Sequence, residues 1–214
     1  MNPGKPNRRQ ILERCISRGT LLGAAALSQS QLLALWQQAE AQSLQPTAPE
    51  VLGPFFRKGA PDHRVLRAPG DPGFPLKVSG KVCDTRGRLI EGAKVDLWHA
   101  DHHGLYDTKG YRYRTRISPD PQGVYSVDTV MPGHYADRPA QHIHYLITAP
   151  GHKTLITQAY FATDPYFDGD PEKNWKKRNI VSHRELVLPV RLFEGANGDA
   201  PHAQITFDLV LQQA

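Results

Sequence analysis

The chain has 214 residues, 39% of them hydrophobic and 22% charged, and a formal net charge of +5. Residues 1–41 hold five Lys/Arg against two Asp/Glu, which leaves +2 on the rest, too little to argue for nucleic acid as a partner. The roughly 170 residues beyond that segment suit one core and one domain, and 18 glycines with 18 prolines punctuate short segments in the manner of an all-β sandwich with long irregular loops.

Residues 1–41 read as a cleavable export signal. Arg8 and Arg9 are adjacent, a poorly charged stretch runs from Thr20 to Leu35, and Ala39-Glu40-Ala41 offers small residues for cleavage. The paired arginines point to a twin-arginine route and a periplasmic or extracellular destination. Gln29, Gln31, Gln37 and Gln38 make the segment a poor bilayer-spanning helix, so no stable membrane span is expected in the mature form. Cys15 lies in the signal and Cys83 stands alone beyond it, so no intrachain disulfide is expected even in an oxidising compartment. Cys83 sits in an alternating run and reads as a small core residue.

Residues 42–52 read as a polar, proline-containing linker, and residues 53–214 as the folded domain. Gly53-Pro54-Phe55-Phe56 is an apolar turn. Phe74 to Cys83 is a predicted strand, turned by Asp84-Thr85-Arg86-Gly87. Ala93 to Trp98 alternates, with Val95 and Leu97 on one face and Lys94 and Asp96 on the other. A charged, aromatic loop runs to about Arg116. Further strands are expected at Val124–Val127, His142–Thr148, Leu155–Phe161 and Ile205–Leu211, with a long loop from Asp164 to Lys177.

Side chains alternate along a strand, so His142 and His144 share a face that Ile143 does not. Two imidazoles on one face are half of a metal site. Tyr106 and Tyr135 lie close in sequence to this pair, in Gly104-Leu105-Tyr106 and Pro132-Gly133-His134-Tyr135. Of the other nearby histidines, His134 is the one read as a supporting partner; His99, His102 and His103 read as surface residues.

With Gly53-Pro54-Phe55-Phe56, the run from Gly92 to Asp101, Arg138-Pro139, His142-Ile143-His144 and Thr157-Gln158-Ala159-Tyr160-Phe161, these motifs form an ordered set. On that set, residues 50–212 resemble the intradiol ring-cleavage dioxygenases, the catechol and protocatechuate dioxygenase superfamily. The resemblance implies one non-haem Fe(III), held by Tyr106, Tyr135, His142 and His144. It implies a small-molecule catechol and O2 as substrates, cleavage between the two hydroxylated carbons, and a cis,cis-muconate-type diacid as product. Tyr135 would leave the metal and take up a substrate proton. Arg138 would stabilise developing negative charge, Gln158 would border the ring, and Gly53, Pro54 and Trp98 would line the substrate. One departure stands out: Arg138-Pro139-Ala140-Gln141-His142 has one residue more between arginine and histidine than the family commonly shows, which a small bulge would absorb.

A second resemblance competes. Gly80, Val82, Asp84 and Gly87 followed by Gly92-Ala93 and Val95 are similar to transthyretin-like and carboxypeptidase-regulatory modules, which are sandwiches without metal chemistry. The Tyr, Tyr, His, His set is what separates the two readings.

Overall fold

Apolar alternation along the strands resolves into two sheets that face each other. The computed structural model describes residue 28 and residues 43–135, 138–195 and 200–214; apart from residue 28, the segment 1–41 that reads as an export signal, with its expected cleavage site, lies outside the described residues. The strands are β1 (Pro75–Asp84), β2 (Lys94–Trp98), β3 (Arg114–Ile117), β4 (Val124–Val130), β5 (His142–Thr148), β6 (Leu155–Phe161), β7 (Val187–Leu188), β8 (Arg191–Phe193), β9 (His202–Thr206) and β10 (Leu209–Leu211). In the first sheet β1 pairs along one edge with β4 and along the other with β9 and then β10, while β8 lies outside β9. The second sheet runs β3-β2-β5-β6-β7. Both sheets mix parallel and antiparallel pairs.

Register explains the core. Val95, Leu97, Ile143, Tyr145, Ile147, Ala159 and Phe161 point inward from the second sheet and meet Leu76, Val78, Tyr125 and Ile205 of the first. Tyr145 packs edge-on against both Tyr125 and Phe207, joining the layers. The opposite face of the second sheet carries the polar set. Arg114 pairs across with Trp98, Trp98 with His144, and His144 with Gln158, so these four form one row. His142 and Tyr160 are partners in the next row.

β5 and β6 occupy the expected spans, and β1 and β2 match to within a residue. β4 continues three residues past its expected end. Ile205–Leu211 is two strands, not one: at Phe207 and Asp208 the chain leaves the ladder, with Phe207 N–H donating to Ser79 and Asp208 accepting from Lys81 N–H. The 164–177 loop also carries structure. Asp164 and Asp170 each accept a hydrogen bond from the first turn they precede, and Pro165 and Pro171 open a 3₁₀ turn (Pro165–Phe167) and a short helix α1 (Pro171–Asn174). Asp-Pro here is a cap followed by a first helical residue, not simple punctuation.

Residues 43–52, read as a linker, lie along the domain. Thr47 N–H donates to Val210, Glu50 N–H donates to Ile156, and the buried Ala48 carbonyl accepts from Thr157. Cys83 is free and buried, in line with a core role. Asp96, on the outer face as expected, is nevertheless buried because it pairs with Arg116 across the β2–β3 ladder. Among the described residues no helix is long and apolar enough to cross a membrane.

Candidate metal centre

Two tight loops bring the tyrosines to the histidines. Gly104 and Gly133 each stand two residues before a tyrosine. Gly133 N–H donates to the Asp101 carbonyl at 2.8 Å, and a Cβ on Gly133 would meet the His102 oxygen at 2.4 Å. Asp101 Oδ1 accepts from the N–H groups of His103 and Leu105, fixing the turn that presents Tyr106. The Tyr106 and Tyr135 rings lie 5.8 Å apart and nearly perpendicular.

Both phenols reach one imidazole. Tyr106 Oη is 3.4 Å and Tyr135 Oη 3.5 Å from His142 Nε2, long for hydrogen bonds and suited to donors converging on a shared point. His142 Nδ1 lies 2.8 Å from the Ala140 carbonyl. A carbonyl only accepts, so Nδ1 carries the proton and the Nε2 lone pair faces the phenols. His144 stands 4.8 Å from His142, ring to ring. It is 2% exposed, and neither of its ring nitrogens has a hydrogen-bond partner. A buried imidazole left this way costs free energy unless something else binds it.

The protein around these four holds them still. Trp98 stacks on His144 with ring centres 4.9 Å apart and planes within 2°. Gly53, at φ +73, lies so close to the same imidazole that a Cβ would come within 3.0 Å of His144 Cε1. Phe55 stacks on Tyr106 at 4.2 Å. Arg114 donates to the carbonyls of Phe55 and Asp107, tying both loops to β3. Pro54 borders a cleft of about 290 Å³ shared with Phe55, Phe56, Arg57 and Arg114.

Electrostatics sharpen the picture. Burial, with Tyr135 close by, pushes the Tyr106 phenol far above the ordinary tyrosine value, so without a cation it stays protonated. Burial lowers His142 to about 4 and His144 well below 6.5; both are neutral donors at pH 7. No cluster of three or more His, Cys, Asp or Glu suited to a metal occurs among the described residues. A metal here would depend on the phenols. Two imidazoles and two ionisable phenols fit a hard, highly charged cation, because only such a charge ionises half-buried tyrosines at neutral pH.

Arg138 lies beside this centre. Its Nη2 donates to Gln158 Oε1 at 2.6 Å and to Tyr160 Oη at 2.7 Å. Gln158 in turn donates to the Val51 carbonyl. The extra residue before His142 is not absorbed by a strand bulge. It lies in the bend at Ala140–Gln141, ahead of β5, where Asp164 anchors Gln141 N–H at 2.6 Å. Backbone pairing of Arg138 with Tyr135 keeps the arginine beside the second tyrosine.

The model of the family described as Dioxygenase matches residues 51–213. The chain belongs to the intradiol ring-cleavage dioxygenase superfamily. Among superfamily members, the chlorocatechol 1,2-dioxygenase of Rhodococcus opacus is 34% identical over 175 residues, covering 67% of this chain and 65% of that protein. The catechol 1,2-dioxygenase of Pseudomonas sp. (strain EST1001) is 36% identical over 155 residues, covering 60% of this chain and 51% of that protein. This chain thus spans between about half and two thirds of those dioxygenases. A solved dioxygenase domain, from a dioxygenase carbohydrate-binding protein fusion of Streptomyces sp. SirexAA-E, aligns at a TM-score of 0.67 and 31% identity, over 79% of this chain and all of that one. The intradiol match covers the stretch that also resembled the non-catalytic modules.

Every site residue expected from the sequence lies in or against this cluster. Gly53 and Trp98 touch His144 itself. His99, expected at the surface, is buried, with Nδ1 on the Ala100 carbonyl and Nε2 on Thr129 Oγ1, both at 2.7 Å. Phe55, Arg114, Tyr160 and Asp164 had no role assigned from sequence. Register carries Tyr160, the partner of His142 on the adjoining strand β6; Arg114 lies one strand further out, paired with Trp98, and Phe55 follows the Gly53-Pro54 turn.

Proposed function

We propose that the chain is a non-haem Fe(III) intradiol dioxygenase. It would insert both atoms of O2 into a catecholic ring between its hydroxylated carbons and release a cis,cis-muconate-type diacid. The observation that carries this is the buried, unpartnered His144 beside His142, Tyr106 and Tyr135. The superfamily match and the catechol dioxygenase names of its relatives support it.

Tyr106, Tyr135, His142 and His144 would hold the iron. When bound, ferric iron would supply the Lewis acidity that ionises the phenols and makes the catechol reactive toward dioxygen. Ala140 keeps the Nδ1 proton of His142 in place so that Nε2 remains a donor. Tyr106 is clamped between Phe55 and the Arg114-tied loops, which suits a permanent ligand. Tyr135 sits in the segment between β4 and β5, bridged to Arg138, and its phenolate oxygen would take up a substrate hydroxyl proton as a general base. The Arg138 guanidinium, oriented by Gln158 and Tyr160, would stabilise negative charge developing on the ring. Pro54, with Gly53 and Trp98 behind it, would border the substrate. No further cofactor and no nucleic acid is required. Residues 1–41 would direct the enzyme out of the cytoplasm; an exported protein beginning at Gln42 tests that part.

The deciding experiment is the visible absorption of iron-loaded protein before and after anaerobic catechol, followed by product analysis in air. A tyrosinate band that shifts with catechol, and a muconate-type diacid, are expected. A protein that stays colourless with iron, and is indifferent to Tyr106→Phe and Tyr135→Phe, overturns the reading.

A further inference from the structure

One carboxylate outside the ligand set touches both ligand-bearing segments. Asp164 follows the end of β6, and its side chain is fully buried. Oδ2 accepts from Gln141 N–H at 2.6 Å. Oδ1 accepts from Tyr166 N–H at 2.9 Å and from His134 Nε2 at 2.8 Å. Gln141 immediately precedes His142, and His134 immediately precedes Tyr135. Gln141 closes the arrangement from its own side, donating from Nε2 to the Pro132 carbonyl at 2.8 Å. The loop of one candidate ligand and the strand start of another are therefore fastened to the same buried group.

We infer that Asp164 is a positioning residue for the metal centre, holding the Tyr135 loop in register with the start of β5. The inference rests on the function proposed above. Its physical basis is geometric. Tyr135 and His142 come from segments with different constraints, a loop held by one bridge to Arg138 and a ladder-bonded strand. Six residues separate them in the sequence, which leaves slack between the two. A link that bonds the residue ahead of each ligand removes that slack without touching the ligands. Asp164 does this with both oxygens engaged, and an amide in its place keeps only one acceptor. Asn at 164 would set an N–H₂ against either the Gln141 donor or the Tyr166 and His134 donors. Groups that orient metal ligands typically matter by roughly 10- to 100-fold in metal affinity or activity.

The test uses the iron-loaded enzyme and three variants: Asp164→Asn, His134→Ala and His134→Gln. Ferric-ion affinity is measured by chelator competition, the tyrosinate band by visible absorption, and the melting temperature on the metal-free protein. Asp164→Asn and His134→Ala are expected to weaken ferric binding by roughly 10- to 100-fold and to alter the band. His134→Gln, whose amide can donate to the same carboxylate, is expected to recover most of the affinity. The His134 side chain is 44% exposed, so its variants fold even if Asp164→Asn does not. Wild-type affinity and band in His134→Ala would overturn the inference, and so would a lowered melting temperature with unchanged affinity in the folded protein. A wild type that takes up no ferric iron overturns the functional reading and this inference with it, whereas a coloured wild type with indifferent variants overturns this inference alone.

Discussion

Gly104 and the carbonyl of His134 are in backbone contact: a Cβ at residue 104 would lie 2.0 Å from the His134 oxygen. The φ of +83 at Gly104 adds a second barrier to any side chain. This contact seats the Tyr106 turn against the Tyr135 loop. Gly104→Ala is therefore expected to cost about 2 kcal/mol or more of stability and to abolish the tyrosinate band at iron levels that saturate the wild type. Denaturant melts and visible titration check both parts.

His144 has no protein partner at either ring nitrogen, so its fitness lies in binding something else. His144→Leu keeps a similar volume and removes the unpaired polar atoms. In the metal-free protein it is expected to raise stability by about 1 kcal/mol. In the same variant ferric binding should be lost. A metal-free His144→Leu that is clearly less stable than wild type would show that the imidazole has a structural partner.

Tyr160 Oη and Gln158 Oε1 are 3.0 Å apart and share one Arg138 nitrogen. Tyr160 also donates to the Ile180 carbonyl at 3.2 Å. Tyr160→Phe is expected to leave ferric affinity intact and to lower kcat by about tenfold with KM little changed, because it would loosen the guanidinium proposed to meet charge formed during reaction. Arg138→Ala should cost roughly a hundredfold. Steady-state kinetics on iron-replete protein separate the two.

His99 sets an acid limit on the metal-free fold. Burial, above its hydrogen bond to Ala100, holds its imidazole down to about 4 against an ordinary 6.5. The unfolded chain takes up this proton below about pH 6.5 and the folded chain does not. The group's contribution is complete above pH 6.5 and declines as pH falls toward 4, by roughly 3 kcal/mol in all. NMR titration of the His99 ring is expected to show a neutral imidazole down to about pH 4; a midpoint near 6.5 would contradict it.

Much of the sandwich was legible because period-two alternation is a local property. β5 and β6 could be bounded to the residue from Pro150-Gly151 and the apolar runs on either side. β3 was not legible: Arg114-Thr115-Arg116-Ile117 looks like charged loop until Arg114 is placed beside Trp98 and Arg116 beside Asp96. The same holds for Asp164, which reads only as the start of a long loop until Gln141, Tyr166 and His134 converge on it.

The sequence alone determined that His142 and His144 share a face, that two tyrosines stand near them, and that the ordered motifs resemble those of ring-cleaving dioxygenases. The first two follow from strand periodicity and covalent order; the third rests on likeness of motifs. Only the tertiary structure decided that Tyr106 and Tyr135 both meet His142 Nε2, that Arg138 turns toward Gln158 and Tyr160, and that His99 is interior. Those relations depend on cross-strand register and on glycine-permitted loop contacts, which join residues from separate segments through packing that no local pattern encodes.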